Sequence, residues 1–213
     1  ALYAGNQRRK HIAWCRFKMQ KYKKLYIYHK KMSAYNTQEE LKVETQRCRD
    51  IYEKKARDYG TSWRILRLPS LTDQIFIKAN RIRSIQESGE NRVGDGTQGE
   101  FVAMVNYCVM ALIQQELGPD GEMELPIAEA LELYDKHLKR TLDLLMAKNH
   151  DYGEAWRQMR ISSMVDLILM KLRRIKQIED NQGKTLISEG VEGGYMDIIN
   201  YSLFCLIRMA EGE

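Results

Sequence analysis

The sequence predicts an all-α fold in which two tandem three-helix repeats pack as a helical bundle about a pseudo-twofold axis. Three observations lead to this prediction. Only 3 Pro and 14 Gly occur among the 213 residues, too few turn-forming residues for a sandwich or barrel of many short strands. Apolar residues recur at the spacing of one helix face. Finally, one stretch of the sequence occurs twice, which determines how the chain is organised.

The internal repeat is long, and its first part has no gaps. Residues 55–85 align with residues 148–178 at a constant offset of 93. After one inserted residue the match resumes at an offset of 94, where the pair Asn106 and Tyr107 aligns with Asn200 and Tyr201. One three-helix copy leaves much apolar surface uncovered, so the two copies are expected to pack together. Identical pairs include Asp58 and Asp151, Tyr59 and Tyr152, Gly60 and Gly153, Trp63 and Trp156, Lys78 and Lys171, and Arg81 and Arg174.

The first helix of each copy has recognisable start and stop signals. Thr37 is predicted to cap the first helix, and Glu40, three residues later, completes a capping box. Gly60 and Gly153 are predicted to end the first helix of the two copies. The predicted division of the chain is a basic N-terminal extension outside the fold (1–31), helical repeat 1 (32–118) and helical repeat 2 (119–213).

The remaining helices begin at serine or threonine residues. The second helices are predicted to begin at Ser70 and Ser163, and the third helix of repeat 1 near Thr97. Asp73 and Asp166 follow the two serines by three residues. We interpret these two aspartates as capping-box acids rather than as chemical groups.

Residues 1–31 differ from the rest of the chain in charge. They contain ten Lys or Arg and no Asp or Glu, whereas the remainder has a net charge of −5. Aromatic residues lie among these cations, a combination that can bind nucleic acid. The segment has no clear amphipathic stripe and lacks the composition of a transit peptide. We therefore interpret it as an extension that packs little against the folded body.

Several protein classes are disfavoured by what the sequence lacks. No HExxH, GxGxxG, P-loop or GxSxG motif occurs, which weighs against zinc hydrolases, Rossmann enzymes, P-loop NTPases and serine hydrolases. The apolar runs are too short to span a membrane. Four cysteines stand far apart without CxxC spacing and are interpreted as reduced thiols of a soluble, cytoplasmic protein. They are Cys15, Cys48, Cys108 and Cys205.

The repeated segment DYGxxW provides the first candidate ligand contacts. Its Gly is predicted to end a helix in the left-handed conformation, and its Trp to close the end of the bundle. The Asp and Tyr before the Gly have no such structural role. The candidate ligand contacts are therefore Asp58, Tyr59, Asp151 and Tyr152.

Each second helix carries a pair of cations on one face. Lys78 and Arg81 stand three residues apart, as do Lys171 and Arg174. Such a pair suits a phosphorylated ligand, because Arg offers a bidentate fork and Lys a point charge. The alternative is an exposed basic face that pairs with acidic side chains. Further arginines that would assist are Arg64, Arg67, Arg157 and Arg160.

Acidic side chains cluster near the third helix of repeat 2. Glu189, Glu192 and Asp197 precede Asn200, and Asp197 and Asn200 share a helix face. These three carboxylates are predicted to hold Mg²⁺, with Asn200 as a ligand contact. The alternative is a solvated acidic helix start. The corresponding part of repeat 1 is metal-poor, with Asp95, Gln98 and Ala103.

The pattern KxxDYGxxW, then SxxDxxxxKxxRI, then a late NY pair, present twice, resembles a bacterial and phage family called nucleotide modification associated domain 1. The resemblance covers residues 38–210 and implies a link to nucleotide metabolism or modification. The chain departs from the family pattern where Ile77, Met170 and Gly193 replace Asp. The acidic third helix is also loosely similar to the metal-binding helices of all-α nucleoside triphosphate pyrophosphohydrolases. The family pattern falls on Lys171, Arg174, Glu189, Asp197, Asn200 and Tyr201.

Three functions stay open at this point. In the first, carboxylates hold Mg²⁺, the basic pair neutralises phosphates, and water hydrolyses a nucleoside phosphate. In the second, the protein binds a nucleotide or nucleic acid as an accessory protein without chemistry. The third is a helical scaffold, and self-association is open in each case. Hydrolysis requires that the tyrosine or aspartate of the repeat 2 loop, the basic pair and the three acids face one cleft.

Overall fold

A computed structural model describes residues 36–185 and 190–212. Within these ranges the chain forms six α-helices and two short 3-10 helices and has no strand, which confirms the all-α prediction. The α-helices are α1 (Thr37–Tyr59), α2 (Leu68–Ser88), α3 (Gln98–Leu117), α4 (Ile127–Tyr152), α5 (Ile161–Asp180) and α6 (Gly190–Ala210). The 3-10 helices are Ser62–Ile65, between α1 and α2, and Ala155–Gln158, between α4 and α5.

The chain divides into two compact units, residues 1–39 and residues 40–213. Of the first unit the structure describes residues 36–39, where the amide of Glu39 donates to Oδ1 of Asn36 at 3.2 Å. Asn36 therefore caps α1, and the prediction that Thr37 is the cap is wrong. The second unit contains both repeats. The predicted extension, residues 1–31, and Cys15 lie outside the described residues.

The order of elements confirms the tandem repeat. A long helix, a 3-10 turn and two further helices occur in residues 37–117 and again in residues 127–210. Within the copies α2 packs on α3 and α5 on α6, and between the copies α2 packs on α5 and α3 on α6. Each of these helices thus meets its own counterpart, which is the arrangement that a twofold axis produces.

Two ion pairs show the same pseudo-twofold relation at the level of side chains. Arg83 approaches Asp166 at 3.7 Å, and Lys176 approaches Asp73 at 2.5 Å. Under the offset of 93, Arg83 corresponds to Lys176 and Asp73 to Asp166, so each pair becomes the other. The prediction that both aspartates are capping acids is wrong, because they link α2 to α5.

The starts of the second helices explain this difference. Both α2 and α5 begin two residues before Ser70 and Ser163. The residues that precede them, Arg67 and Arg160, have extended backbones and make no capping hydrogen bond with their side chains. In α2 the fixed φ of Pro69 favours the first helical turn. The two serines are therefore already inside a helix.

The core lies where the helices of the two copies meet. Ile75 and Ile82 of α2 and their counterparts Ile168 and Ile175 of α5 are at most 1% exposed, because helical spacing places them on one apolar face. All three described cysteines are buried and free, as predicted. Burial raises the pKa of the Cys48 and Cys205 thiols to about 12, so both stay protonated. No helix in the described ranges is long and apolar enough to cross a membrane.

Candidate functional site

Both DYGxxW segments end a long helix and turn the chain sharply. Gly60 and Gly153 have φ angles of 65° and 60°, in the left-handed region where a side chain would clash with the backbone. Their amides donate to the carbonyls of Ala56 and Asn149 at 2.9 and 3.0 Å. The glycines therefore end α1 and α4 as predicted, and the 3-10 turns that follow direct the tryptophans inward.

The two tryptophans are both buried, but their surroundings differ. Trp156 stacks on Phe204 at a centroid distance of 4.2 Å, and its indole N–H donates to Oδ1 of Asn149 at 3.0 Å. Trp156 thus closes the end of the bundle, as predicted. Trp63 is 8% exposed, and its N–H has no hydrogen-bond partner among the described residues.

The arginine after each tryptophan is buried. The sequence predicts that these arginines assist the basic pairs in binding a phosphorylated ligand, and their burial argues against that role. Arg64, 2% exposed, donates to Oε1 of Gln114 and to the carbonyl of Glu122. It therefore ties the 3-10 turn to the end of α3 and the following linker. Arg67 and Arg160 are exposed. The partners of Arg157 are the carboxylates of Glu40, Glu154 and Glu211.

A cavity of about 470 Å³ lies in repeat 1 between α1, the DYGxxW segment and α3. This volume falls in the range of roughly 300–1,000 Å³ that small-molecule sites occupy. Gly99 and Ala103 leave the α3 wall open because their side chains are absent or small. The polar and aromatic side chains in the wall are Tyr52, Lys55, Tyr59, Ser62, Trp63, Asn106 and Tyr107.

The inner wall is rigid and contains polar atoms without partners. Asn106 donates to the carbonyl of Cys48 at 3.1 Å and accepts from the hydroxyl of Tyr134 at 2.8 Å, so its amide is fixed in orientation. Tyr52 is 1% exposed and stacks on Tyr134. Its hydroxyl, like the Trp63 N–H, has no hydrogen-bond partner of good geometry within the described part of the chain.

The mouth of the cavity is formed by Lys55, Tyr59 and Tyr107. Tyr59 is 55% exposed, and burial together with the neighbouring Tyr107 and Asp58 raises its pKa. Asp58 itself is exposed and is not part of the wall. Lys55 is the one charged side chain among the described residues of the wall, and no described acid pairs with it. The mouth therefore carries a free positive charge.

The predicted basic pair of repeat 1 binds an acid of its own repeat. Lys78 Nζ lies 3.2 Å from Oε2 of Glu100, and Arg81 binds the other oxygen of the same carboxylate. Neither cation lines the cavity. Glu100 therefore neutralises much of the positive charge that was expected to attract a phosphate.

Repeat 2 has a carboxylate in the corresponding place. Asp197 contacts Lys171 at 2.5 Å and Lys148 at 3.4 Å. Burial raises the pKa of Tyr201, and the charge of Asp197 and the neighbouring Tyr152 raise it further. The neighbourhood of Asp197 in the structure thus contains Lys148 and Lys171, while Tyr152 is 74% exposed and lies near Tyr201.

Other predicted residues of repeat 2 stand apart from that neighbourhood or outside the described ranges. Glu192 binds Arg140. Arg174 is exposed and has no ion pair with any described residue. Asp151 is exposed beside His150 at 3.3 Å. Glu189 lies outside the described residues.

Asn200 is buried like its counterpart Asn106, but it lacks a donor. It is 7% exposed, and its Oδ1 has no hydrogen-bond partner in the described ranges. The reason follows from the pseudo-twofold axis, since the residue that corresponds to Tyr134 is Leu41, which cannot donate. Only in repeat 1, therefore, does a side chain of the other copy fix the orientation of the asparagine of the NY pair.

The described carboxylates do not converge on a metal site. No group of three His, Cys, Asp or Glu side chains in the described part of the chain could hold a metal ion. Asp197 is held by two lysines and Glu192 by an arginine. A divalent ion would have to displace these cations to bind there.

The comparison with known families agrees with the repeat. The family described as Nucleotide modification associated domain 1 matches the chain twice, over residues 55–115 and 148–209. The chain belongs to this family. No curated protein and no solved structure matches the chain significantly.

The two matches to Nucleotide modification associated domain 1 fit the structure of the cavity. Each match begins at the lysine of the K-DYG segment and extends past the NY pair. In repeat 1 these two parts of the family pattern, represented by Lys55 and Tyr107, line the same cavity. The lysine at the start of the match and the tyrosine of the NY pair are therefore neighbours in space.

The aromatic or polar residues of the cavity that are absent from the predicted ligand contacts are Tyr52, Lys55, Ser62, Trp63, Asn106 and Tyr107. Lys55 carries a usable signal, because it is identical to Lys148 within the ungapped repeat. Trp63 is also repeated, but its repetition is explained by the predicted structural role of closing the end of the bundle. Tyr52 corresponds to Leu145 in repeat 2 and reads as an ordinary apolar position of a helix, so no pattern indicates it.

Proposed function

We propose that the protein binds a nucleotide in the cavity of repeat 1. The observation that carries the proposal is that the K-DYGxxW segment and the NY pair, both within the family match, line one cavity. The family description associates the domain with nucleotide modification. Aromatic walls beside a cation suit a base attached to a phosphate.

The aromatic part of the wall supports a base. Stacking on an aromatic ring contributes roughly 1–3 kcal/mol per base, and Tyr52, Trp63, Tyr59 and Tyr107 all line the cavity. The Tyr52 hydroxyl and the Trp63 N–H are buried without a partner. The two atoms lie close to each other, so the indole N–H can donate to the phenol oxygen, and the phenol proton then supports a ligand that accepts it.

The charged part of the wall supports binding without chemistry. The described residues of the wall include Lys55 but no Asp, Glu, His or Cys. The cavity therefore offers a cation for a phosphate but no carboxylate or imidazole as a general base. This composition favours an accessory protein that holds a free nucleotide, and the size of the cavity suits one small molecule rather than a polymer.

The experiment is calorimetric titration of the full chain with nucleosides and with nucleoside mono- and triphosphates. Lys55→Ala should weaken nucleotide binding by about 1–3 kcal/mol, because a charge-assisted contact is lost. Lys148→Ala is the matched control in repeat 2 and should leave the affinity unchanged. Equal losses from both variants, or the absence of binding by any of these compounds, would contradict the proposal.

A second proposal is magnesium-dependent hydrolysis of a nucleoside phosphate in repeat 2. It is favoured by the contact between Lys171 and Asp197 and by the position of Tyr152 beside Tyr201. Lys171→Ala should weaken binding by about 1–3 kcal/mol, whereas Arg174→Ala, which removes an exposed cation outside that neighbourhood, should have a smaller effect. Asp197→Asn should remove any release of phosphate that depends on Mg²⁺. Phosphate release that is absent in the wild-type protein, or unchanged in the variant, would end this proposal.

We also propose a cytoplasmic location. Cys48, Cys108 and Cys205 are all unpaired and buried, and free thiols are typical of a reducing compartment. Fractionation of cells that express the full-length protein tests this. Recovery with a membrane or secreted fraction would contradict it.

A further inference from the structure

We infer that the cavity of repeat 1 binds a nucleoside monophosphate and places its phosphate where repeat 2 has the carboxylate of Asp197. The inference deepens the proposed function and rests on it. It depends on a comparison of aligned positions in the two copies.

In repeat 2 the carboxylate of Asp197 lies among residues that occur in both copies of the repeat. The Asp197 carboxylate lies 2.5 Å from Lys171 and 3.4 Å from Lys148, the lysine that begins the K-DYG segment. Tyr201, the tyrosine of the NY pair, stands four residues after Asp197 on the same face of α6, and burial together with the charge of Asp197 raises the pKa of its phenol. The K-DYG lysine and the NY tyrosine therefore surround a position for a negative charge.

Repeat 1 retains the K-DYG lysine and the NY tyrosine of these surroundings, but it has no carboxylate at the aligned position. Ala103 aligns with Asp197, Lys55 with Lys148 and Tyr107 with Tyr201. All three line the cavity, and Ala103 is half-buried. Lys55 has no ion pair with any described residue. A ligand that enters this cavity can supply the missing negative charge beside Lys55 and accept a hydrogen bond from Tyr107.

The positions of the other cations limit that ligand to few charges. Lys78, the counterpart of Lys171, binds Glu100 together with Arg81. Glu100 aligns with Gly194, so repeat 1 has its third-helix carboxylate one turn before the position used in repeat 2. Neither of these two cations lines the cavity, and Lys55 is the one cation in its described wall. One phosphate matches one lysine, whereas a triphosphate adds negative charge that no described wall residue neutralises.

The same placement accounts for the inner wall. With a phosphate beside Lys55 and Ala103, the rest of the ligand extends toward Tyr52 and Trp63, whose polar atoms lie close to each other and have no other partner among the described residues. The indole N–H can only donate, and it faces the Tyr52 hydroxyl. If the Trp63 N–H donates to the Tyr52 oxygen, the proton of the Tyr52 hydroxyl needs another acceptor. An acceptor atom on a nucleotide base can provide it.

The test is calorimetric titration of the full chain, in EDTA, with each common nucleoside, its 5′-monophosphate and its 5′-triphosphate. The best monophosphate should bind roughly tenfold to a hundredfold more tightly than its nucleoside, as a charge-assisted contact predicts. The triphosphate should bind more weakly than the monophosphate. Ala103→Asp places a carboxylate beside Lys55 and should remove the advantage of the monophosphate, while Ala103→Asn, of the same shape without the charge, should retain it.

The outcomes separate this inference from the proposed function. If neither nucleosides nor nucleotides bind the wild-type protein, the proposed function fails. If a nucleoside and its monophosphate bind equally well, or if the Asp and Asn variants behave alike, the inference fails and the binding function stands. Thermal unfolding verifies that both variants fold. If Ala103→Asp does not fold, Lys55→Gln provides the same comparison and should lower the affinity for the monophosphate alone.

Discussion

Repeat 1 and repeat 2 share their loop residues but differ on their third helices. Both copies end a helix at the Gly of DYG, bury the next Trp and Arg, and carry an NY pair. Repeat 1 then has a cavity beside these residues, whereas Asp197 and Phe204 of repeat 2 contact Lys148 and Trp156. The repeated residues thus build the fold of each copy, and the residues that differ determine what each copy can bind.

The buried arginines show the same principle in the fold itself. Arg64 and Arg157 are aligned, but Arg64 bonds mainly to Gln114 and to carbonyl oxygens, whereas Arg157 bonds to three carboxylates. The difference follows from the third helix, where Gln114 aligns with Arg208. Arg208 donates to the carbonyls of Arg157 and Met159.

The largest effect should come from removing one of these arginines. Arg157→Ala leaves several carboxylates without their shared cation and should lower the free energy of unfolding by about 3–5 kcal/mol. Arg64→Ala removes hydrogen bonds to mostly neutral acceptors and should lower it by about 1–3 kcal/mol. Denaturant unfolding measures both values. Equal losses in the free energy of unfolding would show that the two arginines stabilise the fold equally in spite of their different partners.

A smaller effect should come from the donor that repeat 1 has and repeat 2 lacks. Tyr134→Phe removes the hydroxyl that Asn106 accepts from at 2.8 Å, so that Asn106 becomes like Asn200. An unsatisfied buried acceptor should lower the free energy of unfolding by about 1–2 kcal/mol. Because Asn106 lines the cavity, ligand affinity should fall as well. A variant with unchanged stability would contradict the assigned role of this hydrogen bond.

A third difference concerns a half-buried acid, Glu179, between the copies. Glu179 accepts hydrogen bonds from Thr72 at 2.7 Å and Tyr195 at 3.2 Å. Its counterpart is Gln86, so repeat 1 has no such acid. Burial raises the pKa of Glu179, so the folded protein binds its proton more tightly than the unfolded chain does.

This acid should make stability depend on pH. The contribution of Glu179 to the free energy of unfolding should fall as pH rises from 4.5, its ordinary pKa, through its raised value in the folded protein. Glu179→Gln should flatten this slope and leave the hydrogen bonds largely in place. Thermal unfolding at several pH values measures the slope. The same slope in the variant would assign the dependence to other groups.

Much of the fold could be predicted from the sequence because its signals are local and occur twice. Helical spacing and the two glycines define the helices and their ends. The starts of α2 and α5 could not be predicted in this way. Both helices begin after a residue with extended backbone, Arg67 or Arg160, and not after a serine cap. The pairing of Asp73 with Lys176 depends on the packing of the two copies, which a local pattern does not contain.

The candidate site was less predictable for the same reason. Spacing on one helix face identified Lys171, and Asp197 on another helix does contact it. The cavity depends instead on side chains that are small or absent, Gly99 and Ala103, and on Tyr134 from the other copy. Neither small size nor a contact across the pseudo-twofold axis leaves a motif in the sequence.

The central claim is that the ligand site lies in repeat 1, and tryptophan fluorescence tests it most directly. Trp63 lines the cavity, whereas its counterpart Trp156 stacks on Phe204. Titration with a nucleoside monophosphate should produce a saturable change in emission that Trp63→Phe abolishes and Trp156→Phe preserves. A change that persists in Trp63→Phe and disappears in Trp156→Phe would place the ligand in repeat 2 and contradict the account.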